Sequence, residues 1–165
     1  RYLFNAKNAQ TENNNDNRVR QLIREDPNIV NHRSQVSDTP VSHYIARHGN
    51  KELQMEIMEN PNTDVNLLGV NSCALHKYGQ LSFEAFTVLI NREDFEHINH
   101  LVYQTHLYVC LVCHDTHDNI LKAIAMINHP DIDLSIQSRC GQTALEIARE
   151  RNLDDMVELI ESKIN

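Results

Sequence analysis

Asn60-Pro61-Asn62-Thr63-Asp64-Val65-Asn66 is the stretch that decides the fold. Its first part is a turn by composition, because proline, asparagine and aspartate all favour tight reversals. It closes on an apolar residue followed by asparagine. That closing pair has four echoes: Val30-Asn31, Ile98-Asn99, Ile132-Asp133 and Ile164-Asn165. Successive pairs begin 35, 33, 34 and 32 residues apart. A period in this range marks stacked repeats, each a small unit that cannot bury its apolar face alone. The chain therefore reads as one domain of five approximate units, 1–31, 32–66, 67–99, 100–133 and 134–165.

Working outward from Val65-Asn66, each unit shows two apolar bursts before its closing pair. In the second unit the first burst is Thr39-Pro40-Val41-Ser42-His43-Tyr44-Ile45-Ala46. Proline suits a helix start, where its missing N–H would have lacked a partner anyway. Gly49-Asn50 then breaks the helix, with Asn50 placed to cap a second one carrying Leu53, Ile57 and Met58. The third unit opens with Cys73-Ala74-Leu75-His76, and Ser82 stands ahead of Phe86, Leu89 and Ile90. The fourth has Thr105 to Val112, then Asp118 leading Ile120, Leu121, Ile124 and Ile127. The fifth is the most regular: Gly141-Gln142-Thr143-Ala144-Leu145-Glu146-Ile147-Ala148, then Met156, Val157, Leu159 and Ile160. The first is degraded: Leu3, Phe4, Ala6 and Ala9 precede an asparagine-rich stretch, Thr11 to Asn17, read as a polar loop before Val19, Leu22 and Ile23.

These residues resemble the ankyrin repeat. Gly141-Gln142-Thr143-Ala144-Leu145, Asp64-Val65-Asn66, and Thr39-Pro40 with Ala46-Arg47-His48-Gly49-Asn50 carry the likeness, and His76 stands where the family keeps a histidine. The fourth unit departs most, lacking the glycine and holding His106 where proline is usual. The resemblance implies an all-α ankyrin-repeat solenoid of about five helix-turn-helix units with projecting hairpin loops. Ala46, Ala74, Ala144 and Ala148 would allow close helix packing, and the tag valines and isoleucines would point inward at unit junctions. The tag asparagines are expected to fix turns through side-chain to backbone hydrogen bonds. The polar side of the last helix, with Asp154, Asp155, Glu158, Glu161 and Lys163, suits a terminal cap.

The resemblance also implies a function: recognition of another protein through hairpin tips and the exposed side of the first helices, with no catalysis. The tip residues are Arg33, Gln35 and Val36; Leu67, Leu68 and Val70; Leu101, Val102 and Tyr103; and Ile136, Gln137 and Arg139. Arg47, His48, Glu150 and Arg151 lie where the family's first helices face the groove. The middle tips are apolar, as a partner site would be, although such side chains also fold back onto neighbouring units. Two other roles remain open at this point. One is the targeting portion of a larger enzyme or bacterial effector; the other is a structural spacer. In wording, the degenerate units are similar to ankyrin proteins that intracellular bacteria deliver into host cells.

Charge and composition narrow the partners. The net charge is −8, which argues against a nucleic-acid backbone or an anionic membrane. No apolar run approaches the roughly 20 residues of a membrane span. Four cysteines (Cys73, Cys110, Cys113, Cys140) are too few for a disulfide framework, so a reducing cytoplasm, including that of a host cell, is expected. The chain begins at Arg1 with no secretory core after it, and reads as a monomeric piece of a longer protein.

The spacing of the cysteines, histidines and glycines does not favour sharper chemistry. Cys110-Leu111-Val112-Cys113-His114 has the haem-attachment pattern, yet it falls in a run that the repeat register needs for a buried helix. Zinc would need ligand pairs that converge, and adjacent Cys113 and His114 diverge on a helix; only Cys113 and His117 could share a face. Consecutive Cys113-His114-Asp115 cannot form a catalytic triad, and the four glycines are scattered at turns. No metal or cofactor is expected. The ten histidines make pH-dependent binding conceivable, against a plainer reading as scattered surface residues.

Overall fold

A computed structural model of the chain describes residues 9–67, 79–99, 116–138 and 140–164, with side chains from Asn15 onward. These residues are all-α. They form seven α-helices and one short 3₁₀ helix, Pro27–Asn31, with no strand among them. The α-helices are α1 (Ala9–Glu25), α2 (Val41–His48), α3 (Lys51–Glu59), α4 (Phe83–Ile90), α5 (His117–Ile127), α6 (Ala144–Glu150) and α7 (Asp154–Ile164). Leu3, Phe4, Ala6, the Cys73–His76 opening and the Thr105–Val112 burst lie outside the described residues.

Helix starts follow local chemistry. Asn50 accepts from the Leu53 N–H at 2.8 Å, and Ser82 accepts from the Ala85 N–H at 3.3 Å. Thr143 and Glu146 form a reciprocal capping box at the start of α6. Each such cap contributes about 1 kcal/mol by satisfying a donor that the helix leaves unpaired. At α5 the cap is Thr116, one turn-start earlier than Asp118, which instead sits in the first turn. Negative charge is favoured there, as it is for Asp154 and Asp155 in α7.

The apolar stripes explain the packing. Buried residues are Leu53, Gln54, Ile57 and Met58 in α3, then Ala85, Phe86, Leu89 and Ile90 in α4, then Lys122, Ala123, Met126 and Ile127 in α5. Each set is the same i, i+1, i+4, i+5 stripe, one face of a helix. α7 keeps its first and third members as Met156 and Ile160. The four helices pack in series, α3 on α4, α4 on α5 and α5 on α7, while α2 packs on α3 and α6 on α7. Ala46, Ala144 and Ala148 are buried, as close packing requires. The buried apolar residues of these helices form one connected cluster.

Two expectations need correction, and Lys122 adds to the apolar pattern. Thr11 to Asn17 is helix, not loop, since α1 runs unbroken from Ala9. No glycine or proline interrupts that stretch, and asparagine alone only mildly disfavours a helix. Lys122, unremarked in the apolar pattern, is buried at 3% exposure, whereas Ile120, Leu121 and Ile124 are half-buried. Finally, Val30, Val65 and Ile98 are buried at 0%, 0% and 6% exposure, but Ile164 is 53% exposed. α7 continues through the position where earlier units have already turned, so helix rotation rather than a turn sets where Ile164 points.

Candidate functional site

The tag asparagines tie each turn to the next one along. Asn31 donates from Nδ2 to the Asn62 carbonyl at 2.7 Å and accepts at Oδ1 from the Asp64 N–H at 2.9 Å. Asn66 does the same to the Asp94 carbonyl and the Glu96 N–H. Asn99 repeats it with the Asp131 carbonyl at 2.7 Å and the Asp133 N–H at 2.9 Å. The expected turn-fixing role is therefore an inter-turn role. An amide side chain suits it because it carries a donor and an acceptor at once. The fourth tag holds Asp133, which has no donor and closes its own loop on Ser135 instead.

A second set of clasps joins helix ends. Arg92 follows α4 and donates to the Met58, Asn60 and Thr63 carbonyls at 2.8, 3.1 and 3.0 Å. Its guanidinium also pairs with Asp94, which holds that carboxyl below its ordinary range. His129 occupies the same place after α5, with Nε2 2.8 Å from the Ile90 carbonyl and Nδ1 accepting from the Asp131 N–H. Gln54 bonds the Ala46 and Gly49 carbonyls and accepts from the Ser82 N–H. Buried Lys122 places its ammonium on the Gly79 and Leu81 carbonyls, 3.1 and 2.6 Å away. Sequence reasoning missed all four residues. Aligning the segments would have exposed one signal, since Asn91-Arg92 and Asn128-His129 follow their helices identically.

Two of the expected tip loops are described, and they share a local design. In the 33–40 loop, Arg33 and Pro40 form an isolated antiparallel bridge, and the Ser34 N–H donates to the Thr39 carbonyl at 3.0 Å. Ser34 Oγ accepts from the Val36 and Ser37 N–H groups, each at 3.3 Å. Asp38 adopts a left-handed φ of 48° and receives Arg33 at its carboxylate and its carbonyl. The 138–142 loop repeats the device: Ser138 N–H donates to the Gln142 carbonyl, Ser138 Oγ accepts from Cys140 and Gln142, and Gly141 supplies a φ of 78°. Serine and a left-handed residue thus build both loops.

The residues expected to touch a partner are placed as follows. Val36, at the finger tip, is 98% exposed, and Gln35 and Arg33 are exposed beside it. Arg47 and His48 are exposed in the last turn of α2. The His48 ring lies 4.4 Å from that of Tyr44. Burial and the neighbouring Arg47 charge both push the His48 pKa below its ordinary value. Burial pushes the Tyr44 hydroxyl up. Leu67 and Ile136 are half-buried, so they partly fold back, whereas Gln137 is exposed. Glu150 is exposed and accepts from Gln142 at 2.6 Å; Arg151 is exposed at the end of α6. Leu68, Val70, Leu101, Val102, Tyr103 and Arg139 lie outside the described residues.

Little reactive chemistry converges in the described part. No three His, Cys, Asp or Glu side chains there are grouped to hold a metal ion. Cys110, Cys113 and His114 lie outside the described residues. A surface depression of about 400 Å³ is lined by Ile127, His129, Ile132, Lys163 and Ile164, among others. His129, the one imidazole in it, already has both ring nitrogens engaged by backbone groups. No helix among the described residues is long and apolar enough to cross a membrane. Comparison with protein-family models, curated proteins and solved structures finds no match to this chain.

Proposed function

We propose that this chain is an ankyrin-like solenoid of about five units that recognises another protein, without catalysis, through its fingers and first helices. The asparagine clasps support the repeat reading, because they recur in three successive turns with the same two partners. The functional reading rests on Val36. A fully exposed valine is ordinary alone, but this one is held out on a loop braced by Ser34, Arg33 and Asp38. A braced tip loses little conformational entropy on binding, which favours affinity. On the ankyrin reading, Leu67, Leu68, Val70, Leu101, Val102, Tyr103, Ile136, Gln137 and Arg139 are further contact candidates, and the working compartment is the cytoplasm.

Proximity labelling in cells tests this reading. Wild-type protein is compared with Val36→Asp combined with Leu68→Asp and Tyr103→Ala, and with Glu158→Lys on α7 as the control. The proposal expects a labelled set that the finger substitutions abolish and the control retains. A labelled set unchanged by the finger substitutions refutes it.

A further inference from the structure

The buried stripes of α3, α4 and α5 are apolar except at Gln54 on α3 and Lys122 on α5. These two residues, 6% and 3% exposed, converge on a single peptide group. Gln54 Oε1 accepts from the Ser82 N–H at 2.8 Å, and Lys122 Nζ donates to the Leu81 carbonyl at 2.6 Å. That carbonyl and that N–H are the two ends of one planar amide. It lies just ahead of α4, between the helices that pack on either side of α4. Lys122 also reaches the Gly79 carbonyl at 3.1 Å and stands 5.8 Å from the centre of the Phe86 ring. From the other side, Gln54 Nε2 ties in the Ala46 and Gly49 carbonyls at the end of α2, 3.0 and 3.2 Å away.

Packing alone does not account for the lysine. The same stripe position is Leu53 in α3 and Ala85 in α4, and burying an ammonium is costly where an apolar side chain would fit. The bonding does account for it. An amide whose carbonyl accepts from a cation becomes a better donor at its N–H, so each bond strengthens the other. A loss at either end is then felt at the opposite end. Elements packed in series otherwise sense only their immediate neighbours.

We propose that the Leu81–Ser82 peptide is a bolt, gripped by Gln54 and Lys122, that makes α3, α4 and α5 open and close as one cooperative block. The end of α2 joins the block through the Gln54 amide. This device works whatever the fingers bind.

Native-state amide hydrogen exchange at low urea concentrations tests it. In the wild type, the Ser82 N–H should exchange together with the core amides of α3, α4 and α5, along one urea dependence. An N–H at a helix start has no partner within its own helix and ordinarily exchanges fast. Lys122→Met keeps the side-chain length and removes the donor. It should speed Ser82 exchange roughly tenfold beyond its effect on the Leu89 N–H, and separate the α5 amides from those of α3. Ile124→Ala, on the same helix but outside the bolt, should lower the protection of all three helices together. Fast Ser82 exchange in the wild type overturns the proposal without recourse to any variant. A Lys122→Met protein whose three helices still exchange as one set, as in Ile124→Ala, overturns it as well.

Discussion

Asn66→Ala removes two hydrogen bonds that join one turn to the next, the Nδ2 bond to the Asp94 carbonyl and the Oδ1 bond from the Glu96 N–H. A neutral hydrogen bond contributes a net of about 1 kcal/mol. Both partners lie near solvent, so water recovers part of the loss. The expected destabilisation is about 1–2 kcal/mol, read as a lower urea midpoint at unchanged m-value. Asn66→Asp keeps the acceptor and loses the donor, so it should cost about half as much from lost bonding. It also sets a carboxylate against the Asp94 carbonyl, which returns some of that saving. Asn31→Ala and Asn99→Ala break equivalent pairs and should match Asn66→Ala within about 0.5 kcal/mol. Amide hydrogen exchange gives a local check: the Glu96 N–H should exchange faster in Asn66→Ala and stay protected in Asn66→Asp. Three alanine variants each within about 0.3 kcal/mol of wild type would refute the inter-turn clasp as a source of stability.

Further outcomes follow from single contacts. Val65→Asp places a carboxylate at a fully buried position and should abolish cooperative folding, seen as loss of helical circular dichroism at 25 °C. Gly49→Ala would set a Cβ 2.8 Å from the Ile45 carbonyl and 2.9 Å from its Cγ2, and should lower stability by about 1–3 kcal/mol in urea melts. Arg92→Met leaves the Met58, Asn60 and Thr63 carbonyls without that donor and should cost about 3 kcal/mol in the same assay, well above the loss from breaking an exposed pair such as Lys51–Glu84. His48 should titrate below 6.5 by NMR, and Arg47→Ala should move it back toward that value. Its folded state binds fewer protons than its unfolded state in that window. The contribution to stability is therefore full above 6.5 and declines as pH falls through the unfolded value toward the folded one.

The spacing of the closing pairs, the helix starts at Asn50 and Ser82, and the buried tags Val30, Val65 and Ile98 were legible in the sequence. They depend on residues close in the chain or on a spacing that recurs, and local propensity acts at that range. The finger residues were named from the resemblance to ankyrin repeats, and Val36 and Gln35 do stand exposed. The half-burial of Leu67 and Ile136 was not legible, because only the neighbouring unit decides which way a loop side chain turns.

What the sequence determined alone was the spacing of the closing pairs, the all-α class and the caps at Asn50 and Ser82, since backbone donors are satisfied within a few residues. The tertiary structure alone decided what the polar residues do. Arg92 reaches carbonyls 29–34 residues away, His129 one 39 away, and Lys122 two that are 41 and 43 away. Helix ends and the turns between helices leave carbonyls that need a donor, and whichever polar side chain the packing brings beside them fills that need. Such a pairing has no local signature, because the partner exists only once neighbouring helices have met.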